Sequence, residues 1–227
     1  MKLFQVLTDI FWPRGTACLC CDELIDGGII CPDCQDALDA VRMKHEEQGD
    51  VRSAYHYDGL AKRLVIMLKM ECAADAADVL AEAMAEEICG MNMPENTVLT
   101  WVTMPKRRFR ERGIDHGRKL CEAVSRRCGL QVCQLLERQG RFRTQRGLKQ
   151  EERLHNLNGT VVCTKQVDVP VLLIDDVTTT GATVSVCAEA LMAAGAPYVA
   201  ALTATRAMHI SQEKEDRKAD HDGFYAF

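Results

Sequence analysis

The chain has 227 residues, of which 47% are hydrophobic and 27% charged, and a formal net charge of -5. That length has room for one core of ordinary size plus a small appendage, and the composition is that of a globular protein rather than a disordered one. The negative balance excludes a general attraction to nucleic acid and leaves only local basic patches. No run is apolar enough to cross a membrane, and Met1 to Arg14 lacks the order of a signal peptide, so a cytoplasmic location is the expectation.

The first motif along the chain is a pair of knuckles, Cys18-x-x-Cys21 and Cys31-x-x-Cys34, separated by a polar loop with Gly27 and Gly28. Four thiolates presented in this way suit a tetrahedral structural zinc ion. Disulfide pairing is the alternative, and a chain without an export signal disfavours it. Cys20 lies inside the first knuckle, so the ligand set is open by one residue. Cys72, Cys89, Cys121, Cys128, Cys133, Cys163 and Cys187 are scattered among apolar neighbours and read as small packing residues, not nucleophiles.

Beyond the finger, a short helix is expected to end over Leu38 to His45, followed by a strand from Val51 to Tyr57. Leu60 to Lys69 has an apolar stripe of Leu60, Leu64, Met67 and Leu68, and Ala74 to Ile88 is rich in helix formers, so both read as helices. Val98 to Val102 reads as a buried strand. A dense cationic loop, Lys106 to Gly113, then precedes a helix from about His116 to Cys128. On charge alone that loop is a solvated face; at a strand end it is also suited to neutralise pyrophosphate. His116 is either a base with a pKa near neutrality or a helix cap.

Arg138 to Arg153 is too cationic for a core and leads into a strand over Thr160 to Cys163. Val169 to Ile174 reads as a strand, Ala182 to Ala193 as a helix stopped by Gly195, and Tyr198 to Ala204 as another strand. That order is a β-α-β crossover between parallel strands, which places ligands outside their carboxyl ends. The expected organisation is an N-terminal finger segment over 1–45, an α/β domain over 46–208 and a polar tail over 209–227.

The most specific stretch joins the strand to the helix of that crossover. Asp175 and Asp176 follow the apolar Val171 to Ile174, and then come Val177, Thr178, Thr179, Thr180, Gly181, Ala182 and Thr183. Hydroxyls and backbone N-H groups at a helix start can surround a phosphate, and Gly181 removes a side chain where the backbone approaches it. The carboxylates can accept hydrogen bonds from vicinal sugar hydroxyls or reach a magnesium ion through water. No Gly-Lys-Ser/Thr follows the glycine and no GxGxxG is present, so this is neither a Walker loop nor a dinucleotide fingerprint. Capping alone explains a single Thr or Asp, but two acids after a buried strand carry a solvation cost that capping does not require.

The run from Val171 to Thr183 resembles the ribose 5-phosphate motif of type I phosphoribosyltransferases. The wider chain, about residues 16 to 208, is similar to the ComF family of competence-related proteins. That similarity rests on the cysteine knuckles, Tyr57-Asp58-Gly59, Leu68-Lys69, Pro105 with Arg112-Gly113, Gln145 to Asn156 and the Asp175 to Thr183 run. It implies a type I phosphoribosyltransferase-like parallel sheet flanked by helices, beside a small four-cysteine zinc finger. It further implies phosphoribosyl pyrophosphate with magnesium as ligand, and transfer of the phosphoribosyl group to an unidentified acceptor.

In the resemblance, Asp175, Asp176 and Arg112 are the catalytic candidates. Val177 to Thr183, Lys69 and Arg107 join the two acids in binding the ligand. Without it, Lys69 reads as a solvated helix-end cation. The family's Arg-Gly-Phe-Asn-Gln appears here as Arg112-Gly113-Ile114-Asp115-His116, a departure at the last two positions. The stretch with Gln145, Arg153 and Asn156 corresponds to a hood that closes over substrate and excludes water. The family connection also offers a non-catalytic alternative, assistance to single-stranded DNA uptake, with single-stranded DNA or DNA-uptake proteins as partners. Phe142 is the sole aromatic of the basic segment, which gives little support to a stacking platform.

Overall fold

The computed structural model describes residues 16–44, 51–70, 73–138 and 161–207, without the side chains of residues 73, 106, 107 and 112. The tail after 207 and the segment containing Gln145, Arg153 and Asn156 lie outside the described residues.

The molecule is built on a parallel sheet whose strands read β1-β6-β5-β2 across its width. These are β1 (Val51–His56), β2 (Val98–Trp101), β5 (Val171–Thr178) and β6 (Val199–Arg206). β5 carries the densest apolar run. Its residues Val171, Leu172, Leu173 and Ile174 are fully buried, because it is an inner strand covered on both faces. Alternation along it separates the two sides of the core: Leu172 and Ile174 pack with one apolar cluster, Val171 and Leu173 with the other.

The first face is covered by α2 (Gly59–Leu68), α3 (Ala73–Cys89) and α5 (His116–Cys128). The second is covered by α6 (Ala182–Ala193) and a two-stranded antiparallel ribbon of β3 (Leu136–Arg138) and β4 (Val161–Cys163). Small residues let α3 approach closely, with Ala76, Ala77, Leu80, Ala81, Ala83 and Met84 buried. Its Asp78 accepts from Arg126 and Arg127 of α5 at 2.6 and 3.2 Å. Asp58 caps α2 by accepting from the Gly59 amide, while α5 ends at Gly129 in the left-handed conformation.

Several elements differ from their sequence expectation, each for a local reason. The first helix, α1, is Pro32–Asp39 rather than a helix ending at His45; Pro32 supplies a preset first turn after Cys31. Residues 41–43 instead lie along the free edge of β1, where His56 N donates to Val41 O and Met43 N to Ala54 O. The cationic stretch is not a loop but a short helix, α4 (Lys106–Arg112), begun after Pro105 and stopped by Gly113 at φ 70°. β5 continues four residues beyond Ile174, because β6 reaches as far as Arg206 and pairs with it through Thr178. Both acids therefore lie within the strand.

Candidate functional site

The four expected cysteines come together. The sulfurs of Cys18, Cys21, Cys31 and Cys34 all lie within 4.8 Å of one another, and Cys21 Sγ is 3.6 Å from Cys31 Sγ. Ligands of a tetrahedral zinc, each about 2.3 Å from the ion, stand roughly 3.8 Å apart, so the group is capable of coordinating such a metal. Cys20 is not one of the four. Burial raises its thiol to about 11, with the neighbouring Cys18 adding to the effect. For Cys18, burial pushes upward as well, but backbone N-H groups from Cys31, Cys21 and Cys20 outweigh it and bring the thiol to about 6. Cys31 N donates to Cys18 Sγ at 3.2 Å and Cys20 N at 3.4 Å, a pattern that favours thiolate.

Among the remaining cysteines, Cys121 and Cys187 are buried and their thiols are raised by that burial, Cys187 to about 12. A thiol held so firmly protonated is a packing group.

The second constellation forms at the carboxyl end of β5. Asp175 and Asp176 fall on opposite faces by alternation, yet both carboxylates lean forward along the strand. Asp175 Oδ1 accepts from the Asp176 amide and Asp176 Oδ1 from the Val177 amide, each at 2.9 Å. The two acids are held in opposite protonation tendencies. Burial raises Asp175 well above the carboxylate range, and the negative charge of Asp176 adds to this. Burial acts in the same direction on Asp176, but the Lys69 ammonium overcomes it, helped by His116, and holds that acid below its usual value. Lys69 Nζ lies 2.7 Å from Asp176 Oδ2 and His116 Nε2 lies 3.5 Å away. Asp176 is only 7% exposed, whereas Asp175 keeps some surface at the rim while being densely surrounded.

The turn after β5 has the geometry of an anion cradle. Gly181 sits at φ 76°, where a side chain is strained, and α6 begins immediately after it with no side-chain cap. Its first amides are thus left for an anion at the favourable end of the helix dipole. A hollow of about 50 Å³ lined by Asp175 and Val177 to Val184 lies there, on the scale of a phosphate rather than a base. A larger open cleft lies against the finger, lined by Glu23, Leu24, Asp26 and their neighbours, and shares no residue with this hollow.

Of the expected ligand residues, Asp175, Asp176, Val177, Thr178, Thr179, Thr180, Gly181, Ala182 and Thr183 are contiguous at this edge, and Lys69 joins them from the end of α2. Arg107 and Arg112 lie on α4, which leaves the sheet just beyond β2; their side chains are outside the described residues. The Asp115 departure is occupied by packing. Its carboxylate accepts from Arg118 N and from Trp101 Nε1, each at 3.1 Å, which caps α5 and ties it to β2.

Sequence reasoning missed a chain of buried hydroxyls behind the site. Ser53 Oγ and Thr203 Oγ1 are 2.8 Å apart, Thr203 Oγ1 donates to Thr205 O, and Thr205 Oγ1 donates to Asp176 O at 3.1 Å. Thr203 and Thr205, at alternate positions in the second half of β6, are the signal that marks this face. His116 was left outside the expected site; its place as the first residue of α5, after a capping acid, is what turns it toward Asp176.

No protein-family model matches the chain, and no curated protein matches it. Solved structures similar to it include glutamine phosphoribosylpyrophosphate amidotransferase from B. subtilis, at 17% identity and TM-score 0.39 over 56% of this chain. Hypoxanthine phosphoribosyl transferase of Trypanosoma cruzi is 11% identical at TM-score 0.35, covering 63% of this chain and 64% of that one. The corresponding enzyme from Staphylococcus aureus is 13% identical at TM-score 0.33, covering 56% and 61%. The match spans 26% of the amidotransferase chain. With TM-scores below 0.5, these likenesses decide neither fold nor activity for this chain.

Proposed function

We propose that the chain is a type I phosphoribosyltransferase-like protein that binds phosphoribosyl pyrophosphate, and that it transfers the phosphoribosyl group. The reading is carried by one observation: two strand-end carboxylates lead directly into an uncapped helix start across a left-handed glycine. In this reading the amides and hydroxyls from Thr178 to Thr183 hold the 5-phosphate, and Asp175 and Asp176 accept from the ribose hydroxyls. Lys69 neutralises Asp176 in the ligand-free chain and offers its ammonium to an incoming phosphate. Arg107 and Arg112 of α4 are assigned to the pyrophosphate on the sequence resemblance.

Transfer breaks the bond from C1 to the pyrophosphate oxygen, which leaves with the electron pair, and forms a bond from C1 to an acceptor that gives up a proton. Fixing the remote 5-phosphate orients C1, and the two acids hold the ribose hydroxyls while positive charge develops on the sugar. Magnesium, when bound with the ligand, supplies charge neutralisation of the pyrophosphate. Zinc on Cys18, Cys21, Cys31 and Cys34 is structural in this account, since a closed four-sulfur set leaves no open position. The ComF assignment rests on the sequence resemblance. The alternative of single-stranded DNA handling draws no support from the described surface, where Arg118, Arg126 and Arg127 are paired with Glu122 and Asp78.

Calorimetry with phosphoribosyl pyrophosphate tests the reading. Saturable binding that strengthens with magnesium is expected; no binding in either condition refutes it. Pyrophosphate release on adding bases or amines then separates a transferase from a binder.

A further inference from the structure

Three fully buried hydroxyl residues stand behind the strand end, Ser53 on β1 and Thr203 and Thr205 on β6. Packing alone does not call for them, since alanine or valine fills the same space and a buried hydroxyl costs solvation free energy unless it is hydrogen-bonded. The bonds between them run in one direction. Thr203 Oγ1 gives its only proton to Thr205 O at 3.1 Å, so Ser53 is the donor in the 2.8 Å contact between Ser53 Oγ and Thr203 Oγ1. Thr205, its carbonyl held in this way, donates from Oγ1 to Asp176 O at 3.1 Å.

That last acceptor is one half of a planar peptide group whose other half is the Val177 amide. The Val177 amide in turn donates to Asp176 Oδ1 at 2.9 Å. A carbonyl that accepts a hydrogen bond polarises its peptide and makes the N-H across it a better donor. The Thr205 hydroxyl and the Asp176 carboxylate are therefore joined through a single rigid unit, with the other carboxylate oxygen, Oδ2, facing Lys69 Nζ at 2.7 Å.

We propose that Thr205 is a positioning residue for sugar recognition: its hydroxyl fixes the peptide between Asp176 and Val177, and through it the direction in which the Asp176 carboxylate meets the ribose. The inference rests on the reading of this strand end as a ribose 5-phosphate site. Thr203 and Ser53 hold Thr205 in turn, so a residue on the far side of the sheet, Ser53 of β1, is tied to the ligand edge of β5.

The test uses Thr205→Val, which keeps the shape and removes the donor, and Thr205→Ser, which restores it, in the full chain followed by nuclear magnetic resonance. Without ligand, the Val177 amide proton is expected to move upfield in the valine variant and to return in the serine variant. The Asp176 amide belongs to a different peptide and bonds Asp175 Oδ1, so it is expected to stay. With ligand, the valine variant is expected to bind ribose 5-phosphate about fivefold more weakly, the worth of one hydrogen bond, while inorganic phosphate at the turn changes less than about twofold. Equal movement of both amides, equal weakening of both ligands, or no change in either marks a residue that only packs, and overturns the inference. If the valine variant does not fold, the unaltered protein decides: the Thr205 hydroxyl proton is expected to be observable and protected from exchange, and a freely exchanging proton overturns the inference. A Val177 amide that responds as expected in a protein that does not bind ribose 5-phosphate leaves the Thr205 link standing and overturns the functional reading beneath it.

Discussion

In the finger, four sulfurs drawn from the short stretch between Cys18 and Cys34 close on one point. At the end of β5, by contrast, one contiguous run meets Lys69 from the end of α2 and His116 from α5. The first cluster is fixed by local spacing and the metal it can hold; the second exists only after the sheet has assembled. A local cluster can be undone without dissolving the sheet, whereas changes at the strand end act through buried charges that the whole fold has brought together.

The largest effect is therefore expected from metal removal. With zinc in place, a strong chelator removes binding energy of about 10 kcal/mol or more, and Cys31→Ser removes part of it. Hydrogen exchange should show amides from 16 to 40 losing protection while those of β5 and β6 keep theirs. Because Cys18, Cys20 and Cys31 share an apolar cluster with α2 and α3, exchange in α2 rises as well. Simultaneous loss of protection in β5 would break the contrast between a local and an assembled cluster.

Asp176→Asn comes next. It leaves Lys69 without its carboxylate partner, and since the lysine keeps part of its surface in water the expected cost is about 1–3 kcal/mol in denaturant unfolding. Gly181→Ala is smaller. A Cβ there meets nothing within 4 Å, so the cost is backbone strain alone, about 1 kcal/mol, together with weakened phosphate binding.

The smallest effect has the opposite sign. Asp175 has a folded-state pKa above its unfolded one, so its protonated form favours folding at low pH. That contribution fades as pH rises from the ordinary carboxylate value through the raised one. Asp175→Asn removes the burden, and the mutant should gain up to about 1 kcal/mol over the parent near neutrality, with the gain shrinking toward pH 4. Asp176 has the reverse slope, because its pKa is lowered: its stabilisation is present above the ordinary carboxylate value and is lost as pH falls through the lowered one. A gain for Asp175→Asn that did not grow with pH would contradict this assignment.

The helix from His116 to Cys128 and that from Ala182 to Ala193 were legible to the residue because each has a boundary signal, Asp115 with Gly129 for the first and Gly181 for the second. The four-cysteine set was legible from spacing, and Cys20 was removed from it only by geometry. Less visible was the cationic helix α4, whose arginines disguise a proline start and a glycine stop. β3 was unreadable because a three-residue strand has no periodicity to detect. The pairings of Asp176 with Lys69 and His116 are tertiary, and motif order announced only the lysine. Arg138 looked like one arginine among the five between residues 138 and 153; its distinction is the Thr103 carbonyl, which no local pattern encodes.

The central claim, a phosphate cradle at the start of α6, is tested most directly by nuclear magnetic resonance on the intact protein titrated with ribose 5-phosphate. The account predicts that the amide resonances of Thr179, Thr180, Gly181, Ala182 and Thr183 shift together and saturably. Amides of that turn that stay unmoved at saturating ligand, or shifts confined to the exposed arginines of α5, would contradict it.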